Sequence, residues 1–257
     1  MIELQKVSKT YNAGTVTEMC LFDGFDLTVA DGEFVSVVGS NGSGKTSLLN
    51  IICGSMPFDS GTLLLDGKDI AGLKEHERYR RIGRVYQNPA AGTCPHLTIL
   101  ENMSLADNKG KRFGLSRGVN RARRDFYREQ LREVGLGLED KLDVEVGSLS
   151  GGQRQAVALI MATLTPVDIL ILDEHTAALD PHTADIIMKI TDRVVREKHL
   201  TALMVTHNLR YAVEYGNRLL MLDRGRIVLD KAGAEKERVV TDDLLEIFNR
   251  ISIECGN

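Results

Sequence analysis

The stretch Gly39-Ser40-Asn41-Gly42-Ser43-Gly44-Lys45-Thr46 constrains this chain more than any other. It follows the apolar run Phe34 to Val38. It precedes a helical run, Lys45 to Cys53, that carries Leu48, Leu49, Ile51 and Ile52 and stops at Gly54. The pattern G-x-x-x-x-G-K-[ST] between a strand and a helix describes a backbone curled so that its N–H groups face inward around an anion. The helix behind it adds its positive end. In that arrangement Lys45 reaches the outer phosphates of a nucleotide, and the Thr46 hydroxyl, beside Ser47, is a candidate Mg²⁺ ligand.

The rest of the chain alternates in the same way. Strands are expected at Ile2 to Val7, Asp26 to Val29, Thr62 to Leu65, Gly83 to Tyr86, Asp168 to Leu172, Thr201 to Val205, Leu219 to Asp223 and Arg226 to Asp230. Between about Asn88 and Ala162 only helices are expected, at Leu97 to Ala106, Asn120 to Val134 and Gly152 to Leu164. Later helices fall at His182 to Lys198, Leu209 to Tyr215 and from Thr241 onward. The fold class is therefore α/β, a mostly parallel sheet with an all-helical insertion.

A second chemical feature is the run Ile169-Leu170-Ile171-Leu172-Asp173-Glu174, a buried strand that ends in two carboxylates. Acids at the carboxyl end of a parallel strand lie at the sheet's ligand edge. Asp173 is the candidate Mg²⁺ ligand. Glu174, pointing to the other side, is the candidate base that polarises an attacking water.

Leu149-Ser150-Gly151-Gly152-Gln153 narrows the reading. Ser150 and the glycines open a helix and present a hydroxyl, backbone N–H groups and a helix dipole, which makes a second anion site. With this motif the sequence resembles the ATP-binding cassette (ABC) ATPases, whose signature is LSGGQ. The resemblance runs from residue 1 to about 230. It implies a P-loop NTPase core that combines the parallel sheet with an antiparallel β subdomain. Residues 1–87 and 163–230 form that core, 88–162 the helical subdomain and 231–257 a C-terminal helical extension. It further implies that Ser150, Gly151, Gly152 and Gln153 bind the γ-phosphate held by another subunit, so that two ATP are sandwiched in a head-to-tail dimer.

The remaining family motifs follow in order. Tyr11 matches the aromatic that stacks on adenine, and Gln87 the glutamine that senses Mg²⁺ and water. Ala178-Leu179-Asp180 matches the loop that communicates across the dimer, and His207 the switch histidine at the γ-phosphate. The chain departs from the pattern at His175, where the family usually has proline, and at Ala156 and Met161, where it usually has arginines. The latter pair reads as a loss of surface charge. The string Asp173 to Pro181 resembles ATPase subunits that serve a branched-chain-amino-acid-type permease and an extracytoplasmic substrate-binding lipoprotein. Import of amino acids is the expectation that follows, at the cytoplasmic face of the membrane and peripheral through the permease. Lipoprotein-releasing subunits are similar enough to stay as an alternative.

Composition sets limits on the other classes. A net charge of −4 argues against a surface built wholly for nucleic acid, and no nucleic-acid partner is expected. Only about 100 residues separate Thr46 from Leu149, too few for the long coiled coil of DNA-repair members. Ribosome-acting members carry two cassettes, and P-loop kinases need no LSGGQ. No apolar run approaches the roughly 18 residues that span a bilayer, and the N-terminal residues lack the pattern of an export signal. Cys20, Cys53, Cys94 and Cys255 are scattered, as expected for reduced thiols. Charge is uneven: residues 105–135 hold nine Lys/Arg against four acids, a net +5 inside an otherwise −9 chain. This segment reads either as a solvated helical face or as a surface turned toward a permease loop or the anionic leaflet. Asn88 to Asn102 is the expected main permease contact.

Overall fold

The computed structural model describes residues 1–111 and 118–254. Arg112 and Arg117 of the basic segment, and Cys255, lie outside the described residues. In chain order the elements are β1 (Ile2–Tyr11), β2 (Met19–Val29), β3 (Phe34–Gly39), α1 (Lys45–Cys53), β4 (Ser60–Leu65), β5 (Lys68–Asp69), α2 (Glu75–Arg78), β6 (Ile82–Val85), α3 (Ile99–Asp107) and α4 (Arg124–Arg132). They continue with α5 (Gly151–Ala162), β7 (Ile169–Asp173), α6 (Pro181–Glu197), β8 (Thr201–Val205), α7 (Leu209–Glu214), β9 (Arg218–Asp223), β10 (Arg226–Ala232), α8 (Gly233–Glu237) and α9 (Thr241–Glu254). They divide into two compact units. Met1–Arg78 joins the chain from His199 onward, and Tyr79–Lys198 forms the other.

In the first unit β3 is buried along its whole length, as its β-branched apolar run requires. It pairs in parallel with β8 (Val35↔Leu203, Val37↔Val205) and with β9 (Val35↔Arg218, Val37↔Leu220). A two-residue turn, Arg224-Gly225, joins β9 to the antiparallel β10. Both residues have positive φ (44° and 72°), the backbone that suits a tight hairpin. A separate antiparallel sheet runs in the order β2-β1-β4-β5. One face of the unit is closed by α7 and α9, where Val38, Ala212, Leu219, Met221 and Leu244 form a core flanked by Ile247, Phe248 and Ile251.

β1 and β2 are longer than their sequence pattern indicates. The pairing slips at several points between Leu4 and Thr10, with Lys6 at φ 51°. Each β-bulge breaks the two-residue alternation from which a strand is read. The strands therefore continue to Tyr11 and back to Met19 without a legible period.

In the second unit β6 and β7 run in parallel (Ile82↔Ile169, Val85↔Leu172). α5 lies so close to β6 that a Cβ on Gly83 would sit 2.6 Å from the Ala162 carbonyl oxygen. Thr98 and Glu101 cap α3 reciprocally. The first turn expected in the helix after Asn120 is a 3-10 turn, Arg121–Arg123, leading into α4. Much of the basic segment is paired locally: Lys111 and Arg123 on Asp107, Arg124 on Asp143, Arg128 on Asp125 and Arg132 on Glu129. Among the described residues no helix is long and apolar enough to cross a membrane.

Candidate functional site

The glycine-rich loop leaves β3 at Gly39 and enters α1 at Lys45. Gly42 (φ 79°) and Gly44 (φ 106°) take left-handed backbone that other residues rarely adopt. Gly39 is held by space: a Cβ there would lie 2.2 Å from the Leu222 carbonyl oxygen of neighbouring β9. The loop is fixed from outside by the Gly225 N–H, which donates to the Ser43 carbonyl at 3.0 Å, and by the Ser40 hydroxyl, which donates to Asp223 Oδ1 at 3.2 Å. Lys45 is buried, and its Nζ donates to the Gly39 and Ser40 carbonyls, both at 2.8 Å. No side chain caps the first turn of α1. Asn41, Gly42 and Thr46 are exposed at the mouth of the loop.

The same unit contributes two more candidates. The Tyr11 hydroxyl lies 3.0 Å from Ser47 Oγ and donates to Met56 Sδ at 3.1 Å, which ties the ring to the start of α1 and the chain beyond it. His207 is exposed just past β8. Because β8 runs parallel beside β3, His207 and the glycine loop leave the sheet at one carboxyl edge.

The second unit brings the other candidates together in two places. The parallel pairing of β6 with β7 sets Gln87, two residues past β6 and exposed, beside the strand end that carries Asp173 and Glu174. Glu174 has φ 46°, and its carbonyl accepts the Ala177 N–H at 2.9 Å, so the chain turns sharply there. Thr46, Gln87 and Asp173 all offer oxygen, the donor type that Mg²⁺ takes.

The second place is the start of α5. Ser150 Oγ accepts the Gln153 N–H at 3.3 Å, and the Gln153 amide donates to the Leu136 carbonyl at 3.2 Å. Gly151 is exposed. Gly152 is pressed against α6, and a Cβ there would meet Thr183 Cγ2 at 2.3 Å. Thr183 in turn donates its N–H to Asp180 Oδ1 at 3.0 Å, which makes Asp180 the N-cap of α6. Hydrogen bonds from the Thr183 side chain and backbone hold the Asp180 carboxyl below the usual carboxylate range.

His175 is 2 % exposed. Its Nε2 lies 3.0 Å from Thr191 Oγ1, which already donates to the Ile187 carbonyl at 2.8 Å. Thr191 must therefore accept, and His175 is a neutral ring protonated at Nε2. Burial pushes its pKa down to about 4. The hydrogen bond to α6 anchors a turn that proline would have stiffened. Ala156 is fully buried, so its departure from arginine is a packing change and the expected loss of surface charge does not apply there.

Sequence reading missed two partners of the site. Arg84 Nη2 donates to Asp173 Oδ2 at 2.7 Å, and Gln155 donates to the Tyr86 carbonyl at 3.1 Å. A charged residue inside the short apolar strand β6 was the available signal, because a buried cation needs a partner.

Residues 22–177, more than half of the chain, match the ABC transporter family. The chain belongs to that family. It is 44 % identical over 248 residues to a tyrosine transport ATP-binding protein of Clostridioides difficile, covering 96 % of this chain and 98 % of that one. It is 36 % identical to a lipoprotein-releasing system ATP-binding protein of Caulobacter vibrioides, over 88 % of this chain and 94 % of the relative. A spermidine/putrescine import ATP-binding protein of Haemophilus influenzae is 32 % identical, and the match spans 59 % of its length. Among solved structures, the dimeric post-hydrolysis cassette MJ0796 bound to ADP and Pi matches with TM-score 0.75 at 31 % identity, over 90 % of this chain and 98 % of that one. This cassette is thus an ATP-hydrolysing, ATP-binding subunit of an ABC transporter.

Two predictions follow from the second unit. Gly152→Ala should destabilise the cassette by about 1–3 kcal/mol in urea denaturation, and adding Thr183→Ser, which removes the clashing methyl, should recover most of that loss. For His175 the folded pKa lies below the unfolded one, so its neutral form favours the folded state above the unfolded pKa. That contribution falls away as pH drops from about 6.5 toward 4. His175→Asn should therefore show a shallower fall in stability across that window than the parent chain, measured as melting temperature against pH.

Proposed function

We propose that this cassette powers the import of an amino acid or a related small molecule, working as a head-to-tail dimer with a separate permease of the branched-chain-amino-acid type and an extracytoplasmic substrate-binding protein. The observation that carries the reading is the near full-length likeness to a tyrosine transport ATP-binding protein. The likeness to a lipoprotein-releasing subunit supports release of a lipid-anchored cargo as the second reading.

In the proposed cycle Tyr11 stacks on adenine. The amides of Gly39 to Thr46, with Ser47 at the next position, surround the β-phosphate, and Lys45 neutralises the outer phosphates. Thr46, Gln87 and Asp173 are the residues that would hold Mg²⁺, which supplies charge neutralisation to the phosphates. Glu174 polarises the attacking water, and His207 contacts the γ-phosphate. Ser150, Gly151, Gly152 and Gln153 offer the first turn of α5 to the γ-phosphate of the partner's nucleotide, and Asp180 carries the state of one site toward the other. ATP binding closes the dimer, and hydrolysis reopens it. The protein's place is then peripheral, at the cytoplasmic face of the membrane.

The test pairs cells with purified protein. Cells that express the chain with its permease should take up labelled tyrosine, and Glu174→Gln should abolish uptake while the purified variant retains ATP and elutes as a dimer. Normal turnover in that variant would remove Glu174 from its role as base. Wild-type cells that take up neither aromatic nor branched-chain amino acids would remove the amino-acid assignment.

A further inference from the structure

Arg84 has no place in the proposed cycle, yet it is bonded to the carboxylate at the centre of it. Its position on β6 is opposite Ile171 of β7, and its side chain reaches forward to Asp173 Oδ2 at 2.7 Å. Both side chains are largely shielded from water, at 7 % and 14 % exposure. Screening is weak at such a pair, so a neighbouring full charge changes strongly what the carboxylate will bind.

The guanidinium is itself held in place. It stacks over the ring of Tyr86 at 4.6 Å, the Tyr86 hydroxyl is 2.9 Å from that of Tyr79, and the Tyr86 carbonyl is held by Gln155 from α5. Arg84 also lines a cavity of about 200 Å³, together with Tyr79, Tyr86, Lys109 and Met161. The arrangement sets a held cation directly on the carboxylate that the proposed cycle assigns to the metal.

We propose that Arg84 is a positioning residue that holds Asp173 as a counter-ion and competes with the divalent metal for that carboxylate, so that it sets the magnesium dependence of nucleotide binding. The proposal rests on the reading of Asp173 as a metal ligand. Binding of Mg²⁺ then requires the ion pair to loosen, which raises the magnesium concentration at which the metal site fills. Arginine suits this role because its planar group can stack on Tyr86 and bond the carboxylate at the same time.

The test is a calorimetric titration of ADP into the full chain across a series of Mg²⁺ concentrations, together with a magnesium-free sample in chelator. Arg84→Met should lower the Mg²⁺ midpoint about tenfold, in line with the effect of one adjacent charge on a carboxylate, and leave affinity in chelator unchanged. Arg84→Lys, which keeps the charge and loses the planar stack, should fall nearer the parent. If the methionine variant does not fold, Arg84→Gln reads the same shift. A midpoint that is unchanged or raised when the charge is removed overturns the proposal. Asp173→Asn separates the two claims. If it leaves the midpoint where it was, Asp173 is not a metal ligand; if it raises the midpoint while the Arg84 variants do nothing, only the role of Arg84 fails.

Discussion

Helix α1 starts at Lys45 behind a left-handed glycine, which has no side chain to cap it. The N-terminal end of a helix favours an anion, and this helix opens directly out of the glycine loop. The surrounding structure keeps that loop in shape. β9 and its tight turn press on Gly39 and bond Ser43, Asp223 restrains Ser40, and the Lys45 ammonium is folded back onto two loop carbonyls. A chain that must hold a phosphate by backbone amides needs a rigid sheet beside it, and the buried β3 with its two parallel neighbours supplies one.

The second unit uses helix ends differently. α5 and α6 both carry side-chain caps, Ser150 and Asp180, and the two caps are linked through Gly152 packed against Thr183. A change at one helix start is therefore felt at the other within a single turn of contact. The carboxylates at the end of β7 are fixed just as locally: Asp173 by Arg84, and the turn after Glu174 by the buried pair of His175 and Thr191.

What could be read in the sequence follows from how local each signal is. Gly39 to Thr46, the acidic end of β7 and the stretch Leu149 to Gln153 are contiguous, so the residue types and their spacing carry the geometry directly, and α1, β3, β8 and β9 were placed closely. The bulged halves of β1 and β2 were not legible, because each slip in register resets the alternation. Contacts between distant positions were also out of reach: Arg84 with Asp173, Gly152 with Thr183, His175 with Thr191. Each joins residues on different elements, and only the fold brings them together. The same holds for Ala156, whose burial is set by the packing of α5. In the basic segment the run of charge and its nearby acids were legible, whereas the pairing of Arg124 with Asp143, beyond the segment, needed the fold.

The central claim is that each nucleotide is bound by the glycine loop of one chain and the Ser150 helix of the other. Mixed dimers in the Glu174→Gln background test it most directly, with trapped ATP counted per dimer. One arm pairs a Lys45→Ala chain with a Ser150→Glu chain, and the other pairs a chain carrying both substitutions with a chain carrying neither. In a head-to-tail sandwich the first pairing keeps one intact site and should trap one ATP, whereas the second breaks both sites and should trap none. The reverse outcome, with ATP held only when both substitutions share a chain, would show that each chain completes its own site and would contradict the account.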